Sequence, residues 1–195
     1  MGSWITLALI VAAVVYVIAI YNRLIALKNR FKNAFAQIDV QLQRRYDLIP
    51  NLVESAKAYM AHEKDTLTQV TEARNQALAA KKAASEHPDN AGAISALGAA
   101  ESVLGGSLAN FFALSENYPE LRANETIADL MEELTSTENR IGFARQAFND
   151  SVMGYNTYRE QFPNNLIGGL FGSFKEAQLL KIDSPEARKA VKVQL

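Results

Sequence analysis

The chain opens on an unbroken apolar run and then settles into apolar positions spaced three and four apart. From Trp4 to Tyr21, 18 residues (WITLALIVAAVVYVIAIY) carry no charge, and Thr6 is the one clearly polar side chain. As a helix this run reaches roughly 27 Å, close to the ~30 Å hydrocarbon core of a bilayer. It predicts a single transmembrane helix with Trp4 and Tyr21 at its edges, where amphipathic rings favour the membrane–water interface. A cleaved signal peptide is the rival reading. That would need a basic start, a shorter apolar stretch and a small-residue cleavage site. Met1-Gly2-Ser3 carries no base, and Tyr21-Asn22-Arg23-Leu24 follows the run instead. A buried core helix is the third reading, but such helices are seldom apolar on every side over this length.

Four amphipathic stretches follow. The first, 22–46, places Leu24, Phe31, Phe35, Ile38 and Leu42 on one face, and no Gly or Pro separates it from the apolar run. One helix can therefore pass from bilayer to bundle. Pro50 interrupts the pattern. Either Asp47 caps a new helix there, or one long helix kinks, because the apolar phase continues through Ile49, Leu52, Ala56 and Tyr59. The second stretch carries Met60, Leu67, Val70 and Ala77 and ends near Ala84, before the loop Ser85-Glu86-His87-Pro88-Asp89-Asn90. The third, 91–117, uses Ile94, Leu97, Leu104, Leu108 and Phe111. Gly105-Gly106 at its middle predicts a weak or bent turn, or close packing against a neighbour. The fourth repeats Ile127, Leu134, Ile141, Phe148, Tyr155 and Phe162 every seven residues, with Leu130, Thr137, Ala144, Ser151 and Tyr158 as companion row. Such heptads predict long, coiled-coil-like packing, capped at Asn124 or Thr126 and stopped by Pro163.

These elements predict an all-α chain: an N-terminal single transmembrane helix followed by a long up-and-down four-helix bundle. The expected divisions are an anchor at 1–21, a bundle at 22–162 and a tail at 163–195. The tail begins apolar and glycine-rich (Asn164–Gly172) and ends in a short alternating run, Val191–Leu195.

Charge adds a direction. Arg23, Lys28, Arg30 and Lys32 follow the span before any acid, and no base precedes it. By the positive-inside rule residues 22–195 lie in the cytoplasm and the short N-terminus outside. Further along, residues 85–140 hold ten acids against two bases, while residues 22–60 hold seven bases against three acids. Two readings stay open: complementarity between helices of one bundle, or a basic collar near anionic lipid with an acidic far surface for a partner. The net charge of −1 gives no reason to expect nucleic-acid binding, and the lack of cysteine excludes disulfides and thiolate chemistry.

Several long strings resemble the LemA family of bacterial membrane proteins: NRLIALKNRFKNAFAQIDVQLQRRYDLIPNLV (22–53), HEKDTLTQVTEAR (62–74), LSENYPELRANET (114–126) and EELTSTENRI…ARQAFNDSVMGYNTYREQFPNNLI (132–167). One departure is the serine in Phe171-Gly172-Ser173-Phe174-Lys175, where Phe-Gly-Phe-Lys is the expected form. The resemblance implies a single-pass protein of the bacterial inner membrane with a helical bundle. It brings no catalytic residue set.

No motif supplies one either. A di-metal carboxylate bundle needs Glu-x-x-His pairs, but Tyr59 and Ala84 stand three before His62 and His87. His62-Glu63 is followed by Thr66 where a zincin helix needs histidine, and the Gly105-Gly106 and Gly168-Gly169 pairs lack the Lys-Ser/Thr of a phosphate loop. Glu132, Glu133 and Glu138 read as solvated or paired with a neighbouring helix. The chain therefore reads as a non-enzyme with no cofactor, no metal and no small-molecule substrate. Its expected partners are the lipid bilayer and either another protein or further copies of itself. Gln37, Asp39, Gln41, Arg44, Arg45, Asp47 and Asn51 around Pro50, and Asn139, Arg145, Asn149, Asn156, Arg159 and Asn164 on the last helix, are either an internal network or a binding surface. Arg44, Arg45, Asp47 and Asn51, together with Leu166, Phe171 and Phe174, are the candidate interaction residues.

Overall fold

With neither Gly nor Pro between the apolar run and the first amphipathic stretch, nothing in the backbone interrupts helix there. The computed structural model, which describes residues 2–182, has one helix, α1, from Gly2 to Ala56. Its 55 residues reach about 80 Å. Residues 2–19 are exposed along their whole length, and Ile20 is the first buried side chain. Mean hydropathy in this part of α1 is 2.5, long and apolar enough to cross a membrane.

Pro50 neither caps nor breaks the helix. A proline removes the bond to the carbonyl four residues back, here that of Tyr46. That carbonyl accepts instead from Arg74 Nε of the next helix at 3.0 Å. The true break comes later, at residues 57–63, where no Gly or Pro marks it. Met60 plugs the core at the centre of the turn, and its N–H and that of Tyr59 both donate to the Ala56 carbonyl, at 2.9 and 3.0 Å. The second amphipathic stretch therefore begins about fourteen residues later than a break at Pro50 would put it.

α2 (Lys64–Glu86) runs back antiparallel to α1, α3 (Ala91–Ser115) packs on α2, and the short α4 (Pro119–Ala123) leads into α5 (Glu125–Glu160). Asn90 caps α3 and Asn124 caps α5, each accepting from an N–H three residues on at 3.1 Å. α5 lies antiparallel along α1, where Phe31, Phe35, Phe148 and Tyr155 meet edge to face with centroids 5.2–6.3 Å apart. The result is an up-and-down bundle of four long helices, and no strand occurs among the described residues. The heptad row of α5 is buried from Ile127 to Tyr155. Phe162 departs from it: α5 ends at Glu160, and Phe162 is 81% exposed. The companion row is half-buried apart from Thr137, because α5 meets one long helix closely rather than two.

α6 (Asn164–Phe171) sits between the membrane end of the α1 bundle segment and the end of α5. Gly172 closes it with φ +62°, a left-handed conformation that favours glycine. The chain then runs extended to Ile182. The alternating run Val191–Leu195 lies outside the described residues.

Candidate functional site

Arg45 falls in phase with Ile38, Leu42, Ile49 and Leu52, and Glu101 in phase with Leu97 and Leu104. Each charge is thereby turned into the bundle, where a charge is tolerated only if another helix pairs it. Both side chains are essentially fully buried. The Arg45 guanidinium donates to the carboxylates of Glu101 on α3 and Glu138 on α5, and the Tyr46 hydroxyl donates to Glu101. Three helices are thus joined at one point. Burial raises the Glu101 carboxyl above its ordinary value, although Arg45 and Tyr46 pull it down. Burial also raises the Tyr46 phenol, with the Glu101 charge adding to it. For Arg45, burial acts to lower the pKa, but Glu101 and Glu138 outweigh it and keep the guanidinium charged. Arg45 Nε and the Thr137 hydroxyl remain buried without a protein partner. The ensemble acts as a structural clamp between helices.

Other charges pair between helices as well. Arg44 reaches Glu133 at 2.5 Å, and Lys81 reaches Asp39 at 3.1 Å. At the membrane end Lys28 and Lys32 hold Asp89 at 2.9 and 3.1 Å. Partial burial would raise the Asp89 carboxyl, but the two lysine hydrogen bonds win and bring it to about 2. The basic α1 segment thus faces the acids of residues 85–140, as helix complementarity requires. Arg23 and Arg30 are exposed and line a shallow groove between α1 and α5 with Thr157, Tyr158 and Gln161.

The candidate interaction residues do not converge. Asp47, which accepts from Gln43 at 2.8 Å, and Asn51 are exposed near the end of the bundle far from the apolar run. About 40–45 Å of helix separates them from Tyr21. Arg45 is inside. At the other end Leu166 and Phe171 are exposed, but Phe174 is buried. Phe171 and Phe174 both meet the Tyr21 ring edge-on, at 4.9 and 5.4 Å. Trp4 stands 77% exposed near the start of the apolar run.

The asparagines of α5 have a distinct task. Asn156 accepts from the Ala177 N–H at 3.0 Å and donates to its carbonyl at 2.8 Å. Asn149 does the same to Leu180, at 2.9 and 3.2 Å. Each side-chain amide therefore grips one backbone residue of the extended segment, as a neighbouring strand would. The register fits because seven helical residues rise about 10.5 Å and three extended residues about 10 Å. Phe174, Ala177 and Leu180 are buried, and the segment passes α3 so closely that a Cβ on Gly98 would lie 2.3 Å from the Lys181 carbonyl oxygen. Gly105 and Gly106 have open space instead. Asn164 donates to the Tyr158 carbonyl at 2.8 Å. Of the polar residues on the last helix, Asn149 and Asn156 thus serve an internal network.

Among the described residues no three His, Asp or Glu side chains gather where they could hold a metal ion.

The model of the LemA family matches residues 34–195, most of the chain. The chain belongs to the LemA family. This LemA-family chain is also similar to the magnetosome protein MamQ of Magnetospirillum gryphiswaldense, 26% identical over 184 residues that cover 87% of the chain and 67% of the relative. MamQ 1 and MamQ 2 of Paramagnetospirillum magneticum match over the same extent at 25% identity. With its N-terminal apolar helix, the LemA-family chain is a helical, membrane-associated protein.

Proposed function

We propose that the chain is a membrane-anchored helical scaffold that holds protein partners at the bilayer surface and performs no chemistry of its own. The observation that carries this reading is the single helix α1, which supplies both the apolar span and a principal face of the bundle. A flexible linker would let an enzyme domain reach substrates, whereas a continuous helix holds the bundle at a set height. The buried charges Arg45 and Glu101 serve to join helices, which supports a structural part. The magnetosome relatives are named for a cell structure rather than for a reaction, which agrees with a structural part. In this reading residues 22–195 face the cytoplasm of a bacterial inner membrane, with Arg23, Lys28, Arg30 and Lys32 as the retaining charges.

A second reading, a homo-oligomer that organises or remodels the membrane, is favoured by the apolar α6 beside the anchor. One experiment separates the two: gentle extraction of the full chain from its own membrane, measurement of the mass of the complex, and identification of every chain in it. A small complex with a different protein supports the scaffold. A large complex of identical copies supports self-assembly, with loss of order expected on making Leu166, Leu170 and Phe171 polar. A monomer with no recoverable partner would sink both.

A further inference from the structure

From Gln161 to Phe174 the chain carries no charged residue. This stretch contains α6, whose Asn164, Ile167 and Gly168 face the protein. On the outside stand Phe162 (81% exposed), Leu166 (58%), Leu170 (84%) and Phe171 (52%). Other exposed apolar side chains of the bundle, Val40, Val103, Phe143 and Met153, are scattered singly, which is ordinary. A contiguous group of four is not.

Its place decides what covers it. Phe171 touches Tyr21, the last residue of the apolar run, and residues 2–19 of α1 are exposed just beyond. The apolar surface of the span and that of α6 are therefore continuous around Tyr21. A protein partner seated on α6 would have to fit between it and the bilayer. Arg23, Arg30 and Asp150 stand in the groove beside it with Tyr158 and Gln161, and Lys175 and Glu176 are exposed just past its end. Apolar side chains rimmed by exposed charges of both signs match the boundary between acyl chains and the hydrated headgroup layer.

We infer that Phe162 and α6 form a second membrane contact, in which Phe162, Leu166, Leu170 and Phe171 are immersed in the interfacial layer of the same leaflet through which α1 leaves the bilayer. This inference rests on the anchor reading of α1. A single helix fixes the height of the bundle but not its rotation about the helix axis. A second contact off that axis fixes the rotation too, so one side of the bundle always faces the membrane.

Because the chain has no cysteine, single-cysteine variants of the full protein can carry an environment-sensitive fluorophore in vesicles of neutral and anionic phospholipid. Three positions suffice: Val11→Cys in the apolar run, Leu170→Cys on α6, and Phe143→Cys, exposed on the side of α5. The expected result is a blue-shifted probe at 170, quenched by spin-labelled lipid carrying its label near the headgroup and insensitive to aqueous iodide. The probe at 11 should respond to deep lipid labels and the probe at 143 to iodide alone. Iodide quenching at 170 equal to that at 143, with position 11 still lipid-quenched, would overturn the α6 contact and leave the anchor standing. Shielding of 170 from both quenchers would overturn it in favour of a protein on α6. A probe at 11 reached by iodide would remove the anchor itself.

Discussion

At Arg45 and Glu101 two charges occupy positions that the helix period assigns to the core. Removing Glu101 leaves the buried Arg45 with only the half-exposed Glu138 and leaves the Tyr46 hydroxyl without an acceptor. Glu101→Ala is therefore expected to cost about 3–5 kcal/mol. Glu138 is more than half exposed and its loss leaves Arg45 still paired, so Glu138→Ala should cost at most ~1 kcal/mol. Urea unfolding of the full chain in mild detergent, followed by helix signal, would rank them, and equal costs would mean that Arg45 depends on both partners alike. Asp89 makes a separate prediction. Its carboxyl is lowered from 3.8 to about 2 by Lys28 and Lys32. A carboxyl lowered on folding stabilises the fold above its unfolded value, and that contribution is lost as pH falls through the folded one. Wild type should exceed Asp89→Asn by roughly 1 kcal/mol near neutral pH, since the pair is partly exposed. The gap should close between about pH 4 and pH 2, as unfolding midpoints across that range would report. Residue by residue, the sequence placed these charges only in part. Arg45 reads as surface until its phase with Ile38, Leu42 and Ile49 is followed. Glu101, the one charge in α3, stands in the seam between Leu97 and Leu104. That position marks Glu101 as buried, but only a second helix shows what it pairs with.

At the scale of elements, the seams were legible because 3–4 spacing encodes a buried face directly: the seam residues named on α1, α2 and α3 are buried, and of Tyr59 and Met60, which fall in the turn, Met60 is buried and Tyr59 half-buried. What the pattern leaves open is where the backbone obeys its neighbours. Pro50 stayed helical because Arg74 of α2 takes the orphaned Tyr46 carbonyl, and the turn at 57–63 formed around Met60 without any breaker residue. The extended tail was the least visible element, since asparagine amides hold its backbone and its buried Phe174, Ala177 and Leu180 fall three apart, which is not the alternation of a strand. Its packing predicts a contrast among three glycines of one helix. Gly98→Ala drives a methyl into the Lys181 backbone, and should lower the melting temperature and expose the amides of Ala177 and Leu180 to hydrogen exchange. Gly105→Ala and Gly106→Ala meet open space and should stabilise the chain by up to ~1 kcal/mol each. A Gly98→Ala protein that melts and exchanges like wild type would mean that the tail does not dock there in solution.

At the scale of the whole molecule, the uneven charge along the sequence resolves into an axis. Lysines and arginines of α1 gather at the end nearest the apolar span. Glu116, Glu120 and Glu125 lie around α4 at the opposite end, where Tyr118 donates to Glu63 and Asn124 to Tyr59. Much of the acid–base asymmetry is internal pairing, but the far end remains exposed and acidic. Composition alone held both readings open, because opposite charges on separate helices look the same whether they face each other or a partner.

The unbroken α1 has a mechanical consequence. A span longer or shorter than the local hydrocarbon layer adjusts by tilting, and a rigid helix carries that tilt outward undiminished. Tyr21 and Ala56 are 35 residues apart in one helix, about 52 Å of lever arm. A change of about 10° in tilt would sweep the acidic end sideways by roughly 9 Å, about the distance between two packed helices. In the anchored scaffold proposed above, lipid thickness, a property of the membrane alone, would become a displacement at the far end of the bundle.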